Sequence, residues 1–468
     1  MLFHKVLSPS PSGYIQASRW RKEVTRSELP SMSDTTTALP AGLATLEKRT
    51  GIIKALISDN FGRKAHFIEG IIERVQVISV APLGRDSNNF VHLVDLAEAI
   101  GHDETNTSAS QPGTAKLDSS VIKVVVRLSN PNAMIDEEVR VENEVAAISL
   151  VQKALISYPC KIVPKVFAWQ GSKHGLGWLV QEYLPGEQLS LHFSDLSTDK
   201  KAVVLDQVAQ IFKMIQSFQH GVQDFGGLRF DEQGSVVAGR SSLWSVGPFS
   251  TYAEMYQAIF AKQLELTQAT PLLDGWKGTG LQEWLQRFST SGGFANLLVH
   301  PGDIQPTLVH GDFGAENILI DPGTLQITGL LDFDFSHIAS PADEYFYSFP
   351  SFCGLVPGPF EDEDLQLLRR YQTEGFPSAP STQEATSESV DWEVARLWQG
   401  ALEKHHVASP KDIDNIAELA DIYWFLLDVC PPFFNLPRWL ARKTDEQKLA
   451  AKKAIGENLD RYVRRWSY

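Results

Sequence analysis

The sequence predicts an α+β protein with two lobes: an N-terminal antiparallel sheet with one main helix, and a larger, mostly helical C-terminal lobe. The chain has 468 residues, which is too long for one undivided hydrophobic core. Short β-branched runs separated by turns fill the chain up to about residue 185, whereas helical spacing of apolar residues dominates after residue 198. We therefore expect the boundary between the lobes near residue 185.

The composition excludes several classes of protein. The chain carries 42 Lys and Arg against 57 Asp and Glu, a formal net charge of -15, whereas nucleic-acid-binding proteins usually show a basic excess. Cys160, Cys353 and Cys430 form no CxxC pair, which argues against a zinc knuckle or disulfide framework and favours a reducing compartment. No apolar run approaches the ~18 to 20 residues of a membrane span. We therefore expect a soluble, cytoplasmic protein without nucleic-acid or membrane partners.

Residues 1–42 are expected to lie outside the fold. Residues 1–22 contain four basic residues, four serines and no acidic residue, the charge bias of a mitochondrial presequence. Pro9 and Pro11 interrupt any early helix there, and residues 30–42 have the composition of a linker. We expect a disordered tail, with a mitochondrial presequence as the alternative.

The N-terminal lobe, residues 43–185, is predicted to begin with a helix at about Leu43. Two strand-like runs, Val75–Val80 and Phe90–Leu96, are separated by a turn and predict a hairpin. Residues 98–120 are mostly polar, which predicts a surface insertion or a mobile loop.

The second half of this lobe continues the pattern. Val121–Leu128 is rich in β-branched residues and predicts a buried strand. Asp136–Leu155 has the apolar spacing of the main helix. Strand patterns return at Ile162–Trp169 and Trp178–Tyr183, and a Pro-Gly turn ends the lobe.

The C-terminal lobe, residues 186–468, has mostly helical patterns. Lys201–Phe218 places its apolar residues on one helix face. Residues 306–336 differ, because short apolar runs alternate with turn signals and predict a small hairpin. Residues 378–389 predict a surface loop. Further helices are predicted near residues 252–267, 279–289, 361–373, 390–405, 411–429 and 445–466.

The catalytic hypothesis depends on residues 308–334. Phosphoryl transfer from Mg-ATP requires a carboxylate near the attacking hydroxyl and oxygen ligands for Mg²⁺. Asp312 and Asn317, followed across the predicted hairpin by Asp332, supply these groups. Taken singly, such residues are more often turn formers or strand caps. Because the HGD sequence, this spacing and two apolar strands occur together, we favour the catalytic interpretation.

This region resembles the aminoglycoside phosphotransferase and choline kinase-like family of small-molecule kinases, distant relatives of the protein kinases. The chain matches the family motif HGDxxxxNxL, and the Asp that ends the following strand, at His310, Gly311, Asp312, Asn317, Leu319 and Asp332. The resemblance extends from about residue 75 to at least residue 350. It implies a bilobal, protein-kinase-like fold and a kinase that uses ATP and Mg²⁺.

The resemblance also implies roles for the matching residues. Asp312 is the catalytic base or the carboxylate that orients the acceptor, and His310 braces the catalytic loop. Asn317 and Asp332 hold Mg²⁺. Asp334 stands in place of the Gly of the protein-kinase DFG triplet, an acidic variant that looks like the fungal branch of the family. It either binds a second Mg²⁺ or hydrogen-bonds the loop, and both interpretations remain open.

A basic residue and an acidic partner are expected in the N-terminal lobe. Arg127 aligns with the lysine that contacts the nucleotide phosphates in most relatives, and Lys123, on the same side of the strand, is the rival. Glu144 is the expected partner of Arg127. Glu142 is disfavoured because residues two apart do not share a helix face, and the alternative is that both glutamates are solvated.

Other nucleotide contacts are expected from two loops. Residues 83–90 contain one glycine and therefore do not match GxGxxG, but Ser87 is a candidate donor to phosphate; a hairpin turn without a ligand explains the loop equally well. By the resemblance, main-chain groups of Glu182 and Leu184 meet adenine. Residues 224–226 spell DFG, but they precede HGD and are expected to begin a hairpin without a metal.

The acceptor pocket is expected near the catalytic loop and residues 340–347, with Trp392 and Trp398 as candidate walls. Asp343 and Glu344 favour an amine-bearing acceptor, although a solvated acidic surface explains them equally well.

The sequence therefore predicts an ATP- and Mg²⁺-dependent phosphotransferase that transfers the γ-phosphate to a hydroxyl of a small molecule. Candidate acceptors are an aminoglycoside-like compound, an amino alcohol or a secondary metabolite. The alternative is a pseudokinase or nucleotide-binding module without transfer, which the Gly-poor loop and Arg127 support. A protein kinase is disfavoured because HGD replaces HRD and no Ala-Pro-Glu segment follows Asp332.

Overall fold

The computed structural model describes residues 43–61, 77–82, 88–96, 111–117, 120–133, 135–298, 304–384, 387 and 389–466. Within these residues the predicted α+β fold, with an antiparallel sheet before a mostly helical region, is confirmed. The predicted tail at residues 1–42 and the candidate phosphate donor Ser87 lie outside them. No helix in the described part of the chain is long and apolar enough to span a bilayer.

A five-stranded antiparallel sheet forms the N-terminal lobe, with the spatial order β1-β2-β3-β5-β4. Its strands are β1 (Val77–Pro82), β2 (Asn89–Leu96), β3 (Lys123–Ser129), β4 (Val166–Gln170) and β5 (Trp178–Glu182). β3 is central, between β2 and β5. Because side chains alternate between the faces of a strand, Arg127 points away from the face that buries Val126 and Leu128.

Helices cover both faces of the sheet. α1 (Leu46–Phe61) buries two isoleucines against the face that contains Val126. α2 (Glu137–Ala154), the predicted main helix, packs on the opposite face. Asp136 caps α2 by accepting a hydrogen bond from the backbone N of Glu138 at 3.1 Å.

Part of the insertion predicted at residues 98–120 packs against the sheet. Residues 111–117 run beside β4, and the backbone N of Ala115 donates to the carbonyl oxygen of Val166 at 2.7 Å. This segment is therefore an edge contact of the sheet rather than a mobile loop. Residues 97–110 lie outside the described part of the chain.

The C-terminal lobe contains every longer helix predicted after residue 198, with ends shifted by a few residues. The helices are α3 (Thr198–Gln216), α4 (Tyr252–Ala269), α5 (Leu281–Thr290), α6 (Gly293–Leu297), α7 (Glu344–Tyr347), α8 (Glu363–Glu374), α9 (Trp392–Lys404), α10 (Ile416–Val429), α11 (Pro437–Arg442) and α12 (Asp445–Trp466). A large apolar cluster joins most of them and extends to α2.

Short strands interrupt the helices, and two of them flank the loop of residues 310–317. They are β6 (Glu187–Gln188), β7 (Gly227–Phe230), β8 (Val236–Gly239), β9 (Thr307–Val309), β10 (Ile318–Ile320), β11 (Ile327–Leu330) and β12 (His337–Ala339). β7 and β8 form the hairpin predicted after the DFG sequence. The hairpin predicted at residues 306–336 consists of two strand pairs: β10 pairs with β11, and β9 pairs with β12 outside them.

Candidate active site

The loop of residues 310–317, between β9 and β10, is anchored by a buried glutamate. The carboxylate of Glu344 accepts hydrogen bonds from the backbone N of His310, at 2.7 Å, and of Gly311, at 3.2 Å. Gly311 has a φ of 78°, and a Cβ at this position would lie 2.5 Å from the carbonyl oxygen of Phe335. Only glycine fits this turn, where the loop passes close to Phe335, just before β12.

His310 supports the loop from inside the core. Its buried ring lies between the rings of Phe313 and Phe333, with centroid distances of 5.3 and 4.7 Å. Its Nδ1 accepts a hydrogen bond from the backbone N of Asp312 at 3.2 Å. These contacts hold the backbone of Asp312, consistent with the bracing role that the resemblance implies for His310.

Asp312 and Asn317 are in direct contact. Nδ2 of Asn317 donates to the backbone oxygen of Asp312 at 2.8 Å and to its Oδ2 at 3.0 Å. The backbone oxygen of Asn317 in turn accepts a hydrogen bond from the N of Leu331 at 2.8 Å. The loop is thus joined to the end of β11, one residue before Asp332.

Asp332 lies where the two lobes meet. Its φ is 63°, in the left-handed region, which turns the chain sharply after β11. Its Oδ1 accepts a hydrogen bond from Nη2 of Arg127 at 3.2 Å, and its side chain keeps 34% exposure. Burial, together with the neighbouring carboxylates Asp334 and Asp312, raises the pKa of Asp332 to about 7, against the opposing effect of Arg127.

Arg127 forms the ion pair with Glu144 that the sequence predicts. Nη1 of Arg127 donates to Oε1 of Glu144, and both side chains are buried. Burial raises the pKa of Glu144, and Arg127 opposes this shift. Lys123 lies 3.9 Å from Asp95 and keeps 46% exposure, so it is not part of this cluster. Glu142 instead accepts a hydrogen bond from a backbone N of β7.

Asp334 is fully buried and faces two arginines. Its Oδ2 accepts hydrogen bonds from Nη2 of Arg127 at 3.2 Å and from Nδ2 of Asn89 at 3.0 Å, and it lies 3.6 Å from Nη1 of Arg140. Burial acts to raise the pKa of Asp334, but the two arginines outweigh it, so the pKa is lowered. Asp334 is therefore an ionised partner of Arg127 and Arg140.

Glu182 and Leu184, the residues expected to meet adenine, lie at the end of β5 and just after it. Glu182 pairs with Lys165: its backbone N donates to the oxygen of Lys165 at 2.8 Å, and its side chain accepts from the N of Lys165 at 3.1 Å. Leu184 lies just beyond the strand, and Gly186 follows with a φ of 138°. The chain passes here from the sheet into β6.

The residues expected to recognise an amine have other partners, so that expectation is wrong. Asp343 is buried and accepts hydrogen bonds from the hydroxyls of Tyr252, at 2.6 Å, and Tyr256, at 3.1 Å. Its burial raises its pKa to about 7. Glu344 anchors the catalytic loop. These carboxylates face inward because α7 is a buried helix, which its sequence pattern does not show.

The expected walls of the acceptor pocket are part of the core. Trp398 is buried and packs against Phe349 and Phe352, and Trp392 packs edge-on against Tyr371. Both belong to the apolar face of α9.

The donor chemistry around Asp332 fits Mg²⁺. The pKa of Asp332 is raised by burial first and by the neighbouring carboxylates second, and a cation bound here would favour its ionised form. Asn317 donates through Nδ2, which leaves its carbonyl Oδ1 as the atom that can ligate a metal. Oxygen ligands of these kinds suit Mg²⁺. Among the described residues, no group of three or more His, Cys, Asp and Glu side chains could hold a metal, so phosphate and water oxygens would complete the coordination.

The roles of three residues of the site were missed by the sequence reasoning. Asn89 and Arg140 contact Asp334, and Glu344 anchors the catalytic loop. Arg140 lies one helical turn before Glu144, which is a signal for a shared helix face. Asn89 and Glu344 have no comparable signal, because their partners lie far away in the sequence.

A model described as the phosphotransferase enzyme family matches residues 109–378, more than half of the chain. The chain is also 24% identical, over 234 residues, to acyl-CoA dehydrogenase family member 11 of Mus musculus. That match covers 48% of this chain and 25% of the mouse protein, so the chain spans about a quarter of the length of this relative. The range matched by the family model contains Arg127, Glu144, Asp312, Asn317 and Asp332.

Similar solved structures include a putative aminoglycoside phosphotransferase from Ralstonia eutropha, with 15% identity, 89% of this chain and 98% of that chain covered, and a TM-score of 0.43. A thermostable mutant of aminoglycoside phosphotransferase APH(4)-Ia, in a ternary complex with AMP-PNP and hygromycin B, has 12% identity, 88% and 98% coverage and a TM-score of 0.44. The GDP and kanamycin complex of APH(2")-IIIa has 15% identity, 88% and 99% coverage and a TM-score of 0.42.

Proposed function

The chain belongs to the phosphotransferase enzyme family, and on this premise we propose that it is a kinase that transfers the γ-phosphate of ATP to a hydroxyl of a small molecule. The observation that carries the proposal is the convergence of two groups of residues. Asp312, Asn317 and Asp332 meet Arg127 and Glu144, although Arg127 and Asp332 are 205 positions apart. Together they offer a carboxylate, oxygen ligands and a fixed positive charge, which phosphoryl transfer requires.

Asp312 is the proposed catalytic residue. The hydrogen bonds from Asn317 fix the orientation of its carboxylate, and His310 holds its backbone. In this orientation Asp312 would align the acceptor hydroxyl and take its proton as the oxygen attacks the γ-phosphorus, while the bond from this phosphorus to the β–γ bridging oxygen breaks and the nucleoside diphosphate leaves. General-base assistance of this kind contributes ~10²–10⁴-fold to a rate.

Asp332 and Asn317 are the residues that we propose hold Mg²⁺. When bound, the ion would neutralise charge on the β- and γ-phosphates. Arg127 adds a permanent positive charge beside Asp332, and its ion pair with Glu144 fixes the position of the guanidinium. This arrangement lets an acidic protein hold a polyanionic nucleotide.

The nucleotide would lie between two lobes, which we propose to divide at residues 43–185 and 186–468. Main-chain groups of Glu182 and Leu184, at the end of β5, are the proposed contacts of adenine, as in the family that the sequence resembles. Ser87 remains the candidate donor to phosphate. Main-chain recognition of adenine is consistent with either purine nucleotide, so ATP and GTP are both to be tested.

The acceptor is proposed to be a neutral or cationic small alcohol. Asp343 and Glu344 are not proposed to bind it. A suitable panel contains amino alcohols, together with hygromycin B and kanamycin, which are bound in two of the phosphotransferase structures described above. A generic protein substrate tests the protein-kinase alternative.

The decisive experiment measures ADP or GDP release and the phosphorylated product with each acceptor, with and without Mg²⁺. The matched control is Asp312→Asn, which keeps the shape of the side chain and removes the base. Acceptor-dependent, Mg²⁺-dependent product that the Asp312→Asn variant does not form supports the proposal. Nucleotide binding without transfer to any acceptor would instead establish a pseudokinase, and phosphorylation of the protein substrate alone would establish a protein kinase.

A further inference from the structure

A buried bridge links the first residue of β2 to the turn that carries Asp332. Asn89 lies at 6% exposure, and its Nδ2 donates to Oδ2 of Asp334 at 3.0 Å across 245 positions of sequence. Its Oδ1 accepts a hydrogen bond from Nη1 of Arg140, which is completely buried. An uncharged amide can donate to a carboxylate and accept from a guanidinium at the same time, so asparagine suits this position.

The bridge connects three parts of the proposed site. Asn89 follows residues 83–88, the loop expected to lie over the phosphates, and Arg140 lies on α2 one turn before Glu144. Asp334 lies two residues after Asp332. The backbone of Asp334 is also held, because the hydroxyl of Ser242 donates to its carbonyl oxygen at 2.5 Å. A displacement of Asp334 would therefore be transmitted to Asp332.

The surroundings of Oδ2 of Asp334 favour a positioning role over metal binding at this oxygen. Its Oδ2 is surrounded by N–H donors, and the guanidinium groups of Arg127 and Arg140 lie 3.2 and 3.6 Å away. A divalent cation at this oxygen would be repelled by both arginines and would displace their hydrogen bonds. Because removal of one partner from a buried charge pair leaves the other uncompensated, all members of the network depend on one another.

We propose that Asn89 and Arg140 are positioning residues that act through Asp334 to fix α2 and the start of β2 relative to Asp332. This proposal rests on the proposed kinase function, since it assigns the bridge to the alignment of the bound triphosphate with Asp312. Neither residue contacts the proposed adenine site at Glu182 and Leu184. Loss of the bridge should therefore reduce kcat more than it weakens nucleotide binding.

The test changes each end of the bridge in a separate variant. Asn89→Asp keeps the side-chain shape but places a second carboxylate against Asp334, and Asp334→Asn removes the charge at the other end. The control Asn132→Asp makes the same change at an exposed turn.

We expect Asn89→Asp to lower kcat by about tenfold to 100-fold and to change the KM for ATP by less than about threefold. Asn132→Asp should match the wild type. Activities are normalised to folded protein, determined from thermal unfolding of each variant.

Three results would overturn the inference. If Asn89→Asp only lowers the unfolding temperature and leaves kcat per folded molecule unchanged, the bridge is merely structural. If Asp334→Asn requires more Mg²⁺ than the wild type for half-maximal activity, Asp334 is a metal ligand. If the wild type itself transfers no phosphate to any acceptor, the proposed function fails first, and the positioning role falls with it.

Discussion

Asn317 donates a hydrogen bond from Nδ2 to Oδ2 of Asp312 at 3.0 Å, so the proposed metal ligand also orients the proposed catalytic carboxylate. A second hydrogen bond from the same Nδ2 to the backbone oxygen of Asp312 shapes the loop between them. The two side chains are therefore expected to act as a unit rather than as independent contributors to the rate.

This coupling predicts a non-additive double mutant. Asp312→Asn alone should lower kcat by ~10²–10⁴-fold, because the base is lost. Asn317→Ala alone should also lower kcat strongly, but adding it to Asp312→Asn should cost less than it costs alone, since the orientation of a missing base no longer matters and only the loss of the proposed metal ligand remains. Steady-state kinetics of the wild type and the three variants would check this. Fully multiplicative losses would show that the two residues act separately.

Arg127 is predicted to be important for stability as well as for activity. Arg127→Met leaves Glu144 buried without its ion-pair partner and Asp334 with Arg140 alone, so the free energy of unfolding should fall by ~3–5 kcal/mol. Lys123→Met removes a half-exposed charge from the same strand and should cost less than ~1 kcal/mol. Urea unfolding of both variants measures the difference, and similar losses for the two would contradict the cluster described around Arg127.

Gly311 is predicted not to tolerate a side chain. Gly311→Ala places a Cβ 2.5 Å from the oxygen of Phe335 at a φ of 78°, so the loop must shift, with a loss of ~2 kcal/mol or more in unfolding free energy and a large loss of kcat. Gly400→Ala is the matched control, because this glycine lies inside α9 with no atom within 4 Å of the new Cβ. The control should gain ~0.5–1 kcal/mol from helix propensity. Equal effects of the two changes in thermal unfolding would disprove the steric argument.

Glu361 is predicted to make stability depend on pH. Burial, with Asp362 nearby, raises the pKa of Glu361 to about 8 in the folded protein, whereas its ordinary value is 4.5. The folded state therefore binds the proton more tightly than the unfolded state, and this contribution to stability is full below pH 4.5 and is lost as the pH rises to about 8.

Glu361→Gln keeps the neutral form at all pH values, so it should become more stable than the wild type as the pH rises. One pKa unit corresponds to ~1.4 kcal/mol, and we expect an advantage of at least that size at alkaline pH. Chemical unfolding between pH 5 and pH 9, at about one-unit steps, measures it, with the exposed Glu374→Gln as control. A difference that stays constant over this range would show that Glu361 does not titrate as described.

Local patterns in the sequence predicted the elements well. The long helices after residue 198 and the strands of the sheet follow from apolar spacing, since one face of each must be buried. The pair of Arg127 and Glu144 followed from the resemblance to the kinase family rather than from periodicity. By contrast, the contact of residues 111–117 with β4 and the pairing of β9 with β12 depend on backbone hydrogen bonds, which polar or short segments make without an apolar pattern.

The environment of the acidic residues near α7 could not be predicted in the same way. Asp343 and Glu344 read as surface carboxylates in the sequence, but they are buried by the packing of α4 and of the catalytic loop. Their partners are hydroxyls and backbone N–H groups, which no sequence pattern distinguishes from solvent-facing ones. The acceptor preference inferred from these two residues therefore failed. The prediction of Asp312, Asn317 and Asp332 did not rest on that inference.

The sequence by itself determined the two-lobed α+β fold and the spacing of Asp312, Asn317 and Asp332, because these depend on periodicity and on distances along one short segment. Only the tertiary structure decided which charges face one another. Asp334 meets Asn89 and Arg140 because β2 and α2 pack against the turn after β11. Contacts across 245 positions depend on how separate elements pack together, and that packing is a property of the whole fold.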